Sequence, residues 1–258
     1  MEYKFETKTL HAARTPDPAT GAHGAPIYRT TAYQFDDTEH AADLFALKTT
    51  GNIYTRIMNP TQDLLERRMA ELEGGAAALA LSSGTSAIFY SIINVAGQGD
   101  EIVAAKALYG GTYTMFDSIL PQFGITVKMV DPLDLDAYKN AINDKTKAVY
   151  IETIGNPGLD VPDIKSIADI AHEAGCPLIV DSTFTTPYLL RPIDYGADVV
   201  VHSLTKWLGG HGTGIGGIVV DAGTFDWNNG RFPQYSQPDK SYHRSEEHTS
   251  ELQSLLII

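Results

Sequence analysis

The sequence contains little cysteine, few basic residues and no long apolar run. Its single cysteine, Cys176, cannot form a disulfide within the chain. Its 19 lysine and arginine residues are outnumbered by 32 aspartate and glutamate residues, so a broad basic surface for nucleic acid is not expected. No stretch approaches the roughly 18 consecutive apolar residues of a membrane span, and the first residues lack the apolar core of a signal peptide. These absences predict a cytoplasmic protein with no nucleic-acid or membrane partner.

From Leu72 onward the sequence alternates between short apolar runs and amphipathic segments. The apolar runs predict strands over Ala77–Leu81, Glu101–Ala105, Thr126–Val130, Ala148–Glu152, Leu178–Asp181, Val199–His202 and Gly217–Asp221. The amphipathic segments predict helices over Thr85–Val95, Tyr113–Gln122, Leu135–Ala141 and Ile164–Ala174. This alternation predicts an α/β fold with a mainly parallel sheet sandwiched by helices. In such sheets ligands bind beyond the carboxyl ends of the strands.

The first 71 residues do not follow this alternation. Residues 13–35 are rich in proline, glycine and threonine and have no sustained period, which predicts an extended arm. The stretch "NPTQDLLERRMAELEGG" predicts a helix, with Pro60 in its first turn and Gly74 after its end. The sequence therefore predicts an arm and a helix over residues 1–71, followed by a large domain over residues 72–243.

Polar residues lie at the ends of three of the predicted strands. At the end of the first are Glu152, Thr153 and Asn156, at the end of the second Asp181 and Thr183, and at the end of the third Ser203, Thr205 and Lys206. If the strands are parallel neighbours, these residues converge on one edge of the sheet. Lysine is seldom buried, so Lys206 either faces solvent or belongs to a site. A lysine amine and an acid one strand earlier are the groups that pyridoxal phosphate requires. The amine forms a Schiff base, and the acid keeps the ring nitrogen protonated.

The phosphate and the ring of such a cofactor have candidate partners as well. Gly84 and Thr85 lie between a predicted strand and a helix, where free backbone amides bind anions. Ser203 and Thr205 offer hydroxyl groups, and Tyr109 offers an aromatic face for stacking. Taken singly, each residue has an ordinary explanation as a cap, a turn or a solvent-exposed side chain. Their joint occurrence at strand ends favours a cofactor site.

Two other kinds of site are not expected. Residues 212–217 match the spacing G-x-G-x-x-G, but the dinucleotide fingerprint requires a strand before it and a helix after it. Here a lysine loop precedes the glycines and a predicted strand follows them. The histidines His202, His211 and His243 show no metal-ligand spacing, so no metal is predicted.

Five stretches together carry a resemblance to a known family: "YTRIMNPTQDLLERRMAELEGG", "SSGTSA", "ETIGNPGLDVPDI", "VDSTFTTPYLLRP" and "DVVVHSLTKWLGGHG". From about Phe5 to His243 the chain resembles the Cys/Met-metabolism family of PLP-dependent enzymes. The resemblance implies a large domain like that of aspartate aminotransferase (type I). Two further stretches, "KWLGGHGTGIGG" and "NNGRFPQYSQPDKSYH", resemble the branch that replaces the acetate of O-acetylhomoserine with sulfide or a thiol, giving homocysteine. Alternatives are a cystathionine γ-synthase, a cystathionine γ-lyase, a methionine γ-lyase, or a non-catalytic PLP-binding fragment.

The resemblance also implies residue roles. Lys206 would bind the cofactor covalently and transfer protons, Asp181 would pair with the pyridine nitrogen, and Tyr109 would stack on the ring as a second catalytic residue. The residues implied to hold the phosphate are Gly84, Thr85, Ser203 and Thr205, and those implied to line the cofactor are Asn156 and Thr183. Tyr54 and Arg56 match positions that reach the phosphate of a neighbouring subunit. The resemblance therefore implies a homotetramer whose active sites are shared between two subunits.

The resemblance ends after His243. Residues 244–258 are unlike the family, and no segment matches its smaller C-terminal domain, which holds the substrate carboxylate through an arginine. We therefore expect a truncated or chimeric chain with a foreign tail. Arg244 falls in that tail and is not assigned the carboxylate role.

Overall fold

A computed structural model describes residues 3–237 of the chain. The predicted tail over residues 244–258 lies outside the described residues, as do His243 and the last residues of the predicted large domain. No helix within residues 3–237 is long and apolar enough to cross a membrane.

Seven strands form one sheet, and all seven were predicted from the apolar runs. Their bounds are β1 Ala77–Leu81, β2 Glu101–Ala105, β3 Thr126–Val130, β4 Thr146–Glu152, β5 Leu178–Asp181, β6 Val199–Ser203 and β7 Gly217–Asp221. Only β4 and β6 differ from their predicted ranges. β4 starts two residues earlier, at Thr146, and β6 continues one residue further, to Ser203. The apolar runs of β2, β4 and β6 are almost wholly buried, as expected for strands covered on both faces.

The order of the strands is β1-β7-β6-β5-β4-β2-β3. Every pairing from β6 through β5, β4 and β2 to β3 is parallel, whereas β7 is antiparallel to both of its neighbours. The predicted mainly parallel α/β sheet is therefore confirmed, with one reversed strand. Because β4, β5 and β6 are parallel neighbours, their carboxyl ends meet at one edge.

Four helices pack on the sheet: α3 Pro60–Glu73, α4 Gly84–Val95, α6 Leu135–Ala141 and α7 Ile164–Glu173. α3 packs on β1, α4 on β6 and β7, α6 on β3, and α7 on β5. α3 begins as its sequence predicts, because the Asn59 side chain accepts a hydrogen bond from the amide of Thr61 and Pro60 opens the first turn. It ends at Gly74 in the left-handed conformation.

The helix predicted over Tyr113–Gln122 is not continuous. The structure has a short α-helix, α5 Gly110–Thr114, then a π-helical turn over Met115–Ile119 and a 3₁₀ turn over Leu120–Phe123. Pro121 lacks the backbone N–H that an α-helix would require there, so the α-helical pattern cannot continue. Two short helices were not predicted: α8 Thr186–Leu189, which follows β5, and α9 Pro233–Ser236, near the end of the described residues.

The N-terminal arm is largely irregular, as predicted for residues 13–35, but it is preceded by α1 Phe5–His11 and followed by α2 Thr38–Phe45. Neither helix was predicted, although Asp37 caps α2 by accepting a hydrogen bond from the amide of His40. The arm is tied to the start of α3. The amide of Tyr28 donates to Thr61 Oγ1 at 2.9 Å, and Asn59 Nδ2 donates to the Tyr28 carbonyl at 3.0 Å.

Candidate active site

A cleft of about 640 Å³ lies at the edge where the parallel strands end. Nine of the eleven residues predicted for the site line it: Gly84, Thr85, Tyr109, Asn156, Asp181, Thr183, Ser203, Thr205 and Lys206. They come from strand ends, loops and the start of α4, up to 122 residues apart in the chain, and the parallel sheet brings them together. Apolar side chains complete the wall, namely Ile88, Ile154, Phe184, Trp207 and Ile215. Sequence reasoning missed these five because an apolar residue, whether within a helix as Ile88 is or in a loop as the other four are, carries no pattern that marks it as part of a site.

Tyr54 and Arg56 do not line this cleft. Both are exposed on the arm, where the Arg56 guanidinium carbon lies 5.6 Å from the centre of the Tyr54 ring. Tyr54 also pairs with Ala32 in an isolated antiparallel bridge. The two residues are therefore held together, away from the cleft of their own chain.

The N-terminus of α4 forms one end of the cleft. Ser83 caps this helix by accepting a hydrogen bond from the amide of Ser86 at 3.0 Å. Two glycines allow the close approach of α4 to the sheet. A Cβ at Gly84 would lie 2.5 Å from Cβ of Ser203, and one at Gly217 would lie 2.0 Å from the Ser83 carbonyl oxygen. The first amides of α4 therefore point to the cleft beside the hydroxyl of Ser203, an arrangement that binds anions.

Asp181, the last residue of β5, lies at the floor of the cleft. Its Oδ1 accepts hydrogen bonds from the Thr183 amide at 2.9 Å and the Thr183 hydroxyl at 2.6 Å. Its Oδ2 accepts only a long bond, 3.5 Å, from the hydroxyl of Tyr150. Burial raises the pKa of the carboxyl group, although the Thr183 bonds act in the opposite direction. Within residues 3–237, no basic side chain forms an ion pair with Asp181.

Glu152 is a residue of the site that the sequence placed at a strand end but did not assign a role. It ends β4 directly beside Asp181, with which it pairs in the register of the sheet. It is 6% exposed, and its Oε1 accepts a hydrogen bond from the amide of Tyr109 at 2.7 Å. Burial, and secondly the nearby Asp181, raise the pKa of the Glu152 carboxyl group to about 8. The signal that could have identified Glu152 is that it ends the strand beside the one that ends in Asp181.

Lys206 lies in the turn that follows β6. Its amide donates to the Ser203 carbonyl at 3.2 Å, and its carbonyl accepts from the amide of Gly210. The neighbouring Thr205 hydroxyl bonds both the carbonyl and the amide of Gly216, which ties the lysine turn to the glycine stretch before β7. The glycine stretch thus leads into an antiparallel strand, and the dinucleotide interpretation is excluded as the sequence indicated.

These residues fit pyridoxal phosphate on the chemistry of their donors. The α4 amides and the hydroxyls of Ser203 and Thr205 suit a phosphate. Asp181 Oδ2 has capacity to accept a hydrogen bond from a protonated ring nitrogen, and the carboxyl group has a raised pKa that a cation would lower. Lys206 supplies an amine on the cleft wall. The fold and this set of groups define a class of α/β enzymes with a cofactor at the carboxyl edge of the sheet.

The particular family follows from comparison with known proteins. The family profile described as "Cys/Met metabolism PLP-dependent enzyme" matches residues 6–239. The chain belongs to this family, which confirms the resemblance and the type I fold class predicted from the sequence. Pyridoxal phosphate is the cofactor of the family.

Individual relatives agree with this assignment. The chain is 53% identical over 241 residues to an O-acetyl-L-homoserine sulfhydrylase of Leptospira meyeri, covering 93% of this chain and 54% of the relative. It superimposes with a TM-score of 0.94 and 37% identity on an O-acetylhomoserine (thiol)-lyase of Campylobacter jejuni that contains a pyridoxyl-lysine monophosphate, covering 99% and 64% of the two chains. A cystathionine γ-lyase of Lactobacillus plantarum superimposes with a TM-score of 0.78 and 38% identity, covering 85% and 55%. The chain thus spans about half the length of the curated relative.

Proposed function

We propose that this protein binds pyridoxal phosphate through Lys206 and catalyses γ-replacement on O-acetylhomoserine, with sulfide or a thiol as the acceptor and homocysteine or its congener as the product. One observation carries the proposal. A single cleft brings together the amine of Lys206, the carboxyl group of Asp181 and the N-terminus of α4. The sulfhydrylase and thiol-lyase relatives support the choice of substrate.

When bound, the cofactor supplies an electron sink for the substrate carbon atoms. The residues of this chain supply position and proton transfer. The amides of Gly84 and Thr85 and the hydroxyls of Ser203 and Thr205 would hold the phosphate. The Asp181 carboxylate would pair with the ring nitrogen and favour its protonated form. The Tyr109 ring would stack on the cofactor, and the Lys206 amine would move protons between neighbouring substrate carbons.

A cystathionine γ-lyase activity is the second candidate, and the lower TM-score and coverage of that relative make it less favoured. A cystathionine γ-synthase or methionine γ-lyase activity would use the same cofactor residues. A panel of acyl-homoserines, cysteine, sulfide and methionine distinguishes these reactions. The panel is run on the 258-residue chain and on a fusion of that chain to the C-terminal part of a sulfhydrylase relative. If only the fusion turns over substrate, the chain by itself is a non-catalytic PLP-binding fragment.

The first test addresses the cofactor. The purified chain is mixed with pyridoxal phosphate, reduced with borohydride and digested, and the modified lysine is located by mass spectrometry. We expect a visible absorption band and a pyridoxyl group on Lys206, both absent from Lys206→Ala and retained by the control Lys139→Ala on α6. A folded chain without the band, or with label spread over surface lysines, would contradict the proposal.

We further propose a cytoplasmic homotetramer in which Tyr54 and Arg56 reach the cofactor phosphate of a neighbouring subunit. The exposure of both residues, away from their own cleft, supports this arrangement. Mixing inactive Lys206→Ala and Arg56→Ala chains tests it, because a hybrid would contain sites with both residues intact. Recovery of cofactor binding or activity in the mixture is expected. Independent behaviour of the two variants, or a monomer on size exclusion, would contradict it.

A further inference from the structure

One buried carboxyl group connects two loops of the cleft. Glu152 Oε1 accepts a hydrogen bond from the Tyr109 amide at 2.7 Å across 43 residues of sequence. The backbone of Asn156 also approaches this carboxyl group and lowers its pKa. Tyr109 and Asn156 stand on separate loops, after β2 and after β4. Glu152 at the end of β4 therefore bonds the loop of Tyr109 and contacts that of Asn156.

The position of the Tyr109 ring depends on this anchor. The ring is about half exposed, at 49% for the residue, and within residues 3–237 the Tyr109 hydroxyl has no hydrogen-bond partner. The ring lies against Gly111, where a Cβ would be only 2.6 Å from a ring carbon. Because the residue is half exposed and its hydroxyl is unpaired within residues 3–237, we infer that the main chain at Tyr109 sets the place of the ring.

The chemistry of a protonated carboxyl group suits this place. Glu152 and Asp181 end neighbouring strands in register, and two negative charges so close together in a buried site repel each other. Burial and the Asp181 charge raise the pKa of Glu152 to about 8. Near neutral pH Glu152 is therefore mostly protonated. It can accept the Tyr109 amide bond without placing a second negative charge beside Asp181.

We propose that Glu152 is a positioning residue of the cofactor site: its buried carboxyl group anchors the loops of Tyr109 and Asn156 and so sets the Tyr109 ring over the cofactor. The inference rests on the cofactor site proposed above and adds a residue to it. Glu152 acts through Tyr109 and does not itself contact the reacting atoms.

A first experiment needs no cofactor. Amide hydrogen exchange at Tyr109 is measured in the unliganded chain and in Glu152→Ala, Glu152→Gln and the control Glu173→Ala, on the exposed end of α7. Loss of one buried hydrogen bond predicts exchange about tenfold faster in Glu152→Ala. Glu152→Gln keeps an acceptor oxygen and retains the protection, as does Glu173→Ala. If Glu152→Ala does not fold, Glu152→Asp, which is one methylene shorter, provides the same comparison. Unchanged protection in the shortened or truncated variant overturns the proposal.

A second experiment tests whether Glu152 acts through Tyr109. The Kd for pyridoxal phosphate is measured in Glu152→Ala, Tyr109→Ala and the double variant. We expect each single variant to bind about tenfold more weakly, and the double variant to be no weaker than Tyr109→Ala alone, since the two residues act as one unit. Additive losses would mean that Glu152 serves the fold only, and would overturn the proposal.

The two experiments separate the failure of this inference from that of the proposed function. If the wild-type chain does not bind pyridoxal phosphate, the proposed function fails, and the exchange at Tyr109 still decides whether Glu152 anchors the loop. If the wild-type chain is labelled at Lys206 but Glu152→Ala binds with unchanged affinity, the positioning role fails and the proposed function stands.

Discussion

Buried carboxyl groups at the two ends of the sheet have different hydrogen-bond and ion-pair partners. At the amino end, Asp198 precedes β6 and is 2% exposed. Its Oδ2 accepts hydrogen bonds from the Leu178 amide at 2.7 Å and from His172 Nε2 at 2.8 Å. The guanidinium of Arg231 bonds the carbonyl of Thr146 there at 2.8 Å, at the start of β4. Polar groups at this end are paired with one another.

At the carboxyl end, Asp181 forms no ion pair within residues 3–237. Burial raises its pKa, although the Thr183 hydrogen bonds and the electrostatic influence of His202 act in the opposite direction. Glu152 beside it also has a raised pKa. A buried carboxyl group without a cation costs stability, whereas the same group at the amino end is stabilised by its contacts. The comparison indicates that the amino end maintains the fold and that the carboxyl end keeps its charged groups available to a ligand.

The largest expected effect lies at the amino end. Asp198→Ala leaves the Leu178 amide and the His172 ring without their buried acceptor, so we expect the free energy of unfolding to fall by about 3–5 kcal/mol. The control Asp136→Ala, on the exposed face of α6, should change it by less than about 0.5 kcal/mol. Urea unfolding followed by circular dichroism measures both. A loss below about 1 kcal/mol for Asp198→Ala would remove the distinction between the two ends.

The next effect concerns packing at the carboxyl end. Gly84→Ala would place a methyl group 2.5 Å from Cβ of Ser203, so α4 must shift. We expect a loss of about 1–3 kcal/mol in unfolding free energy from overpacking, together with weaker binding of pyridoxal phosphate. Gly24→Ala is the matched control, because nothing lies within 4 Å of a Cβ at Gly24. Equal stability and equal cofactor affinity in the two variants would show that the close approach of α4 is not needed.

A smaller effect on stability is expected at Asp181, whose carboxyl group forms no ion pair within the described residues. Asp181→Asn removes a carboxyl group whose raised pKa makes its ionised form unfavourable, so the unliganded chain should be unchanged or more stable, by up to about 1 kcal/mol at neutral pH. Affinity for pyridoxal phosphate should fall about tenfold or more, because a charge-assisted hydrogen bond is lost. Thermal unfolding and a cofactor titration give the two values. A strongly destabilised variant would mean that Asp181, like Asp198, stabilises the fold.

The sheet could be predicted from the sequence because each strand is an apolar run bounded by turn residues, and strand ends carry the polar residues that a parallel sheet gathers. The rest depends on tertiary contacts. The π-helical turn after α5 has no period to detect, whereas α2 carried a signal that was overlooked, the N-cap residue Asp37. The role proposed for Glu152 could not be predicted either, because its bond to the Tyr109 amide joins residues 43 positions apart. By contrast, the resemblance implied that Tyr54 and Arg56 act at a neighbouring subunit, and both lie outside the cleft of their own chain.

The smallest expected effect is a pH dependence at the amino end. The hydrogen bond to Asp198 raises the pKa of His172 above its usual value of 6.5. Because the folded-state pKa is the higher one, the stabilisation is fully present below about pH 6.5 and is lost as the pH rises through the folded-state value. His172 is partly exposed, so the effect should be less than about 1 kcal/mol. His172→Gln keeps a donor to Asp198 but cannot be charged. Its urea midpoint should therefore lie furthest below that of the unchanged chain near pH 5.5, and the difference should disappear at alkaline pH. The exposed control His11→Gln should show no such pH-dependent difference. A deficit that does not change with pH would mean that the ring only packs against Phe225 and that its charge does not stabilise this end of the sheet.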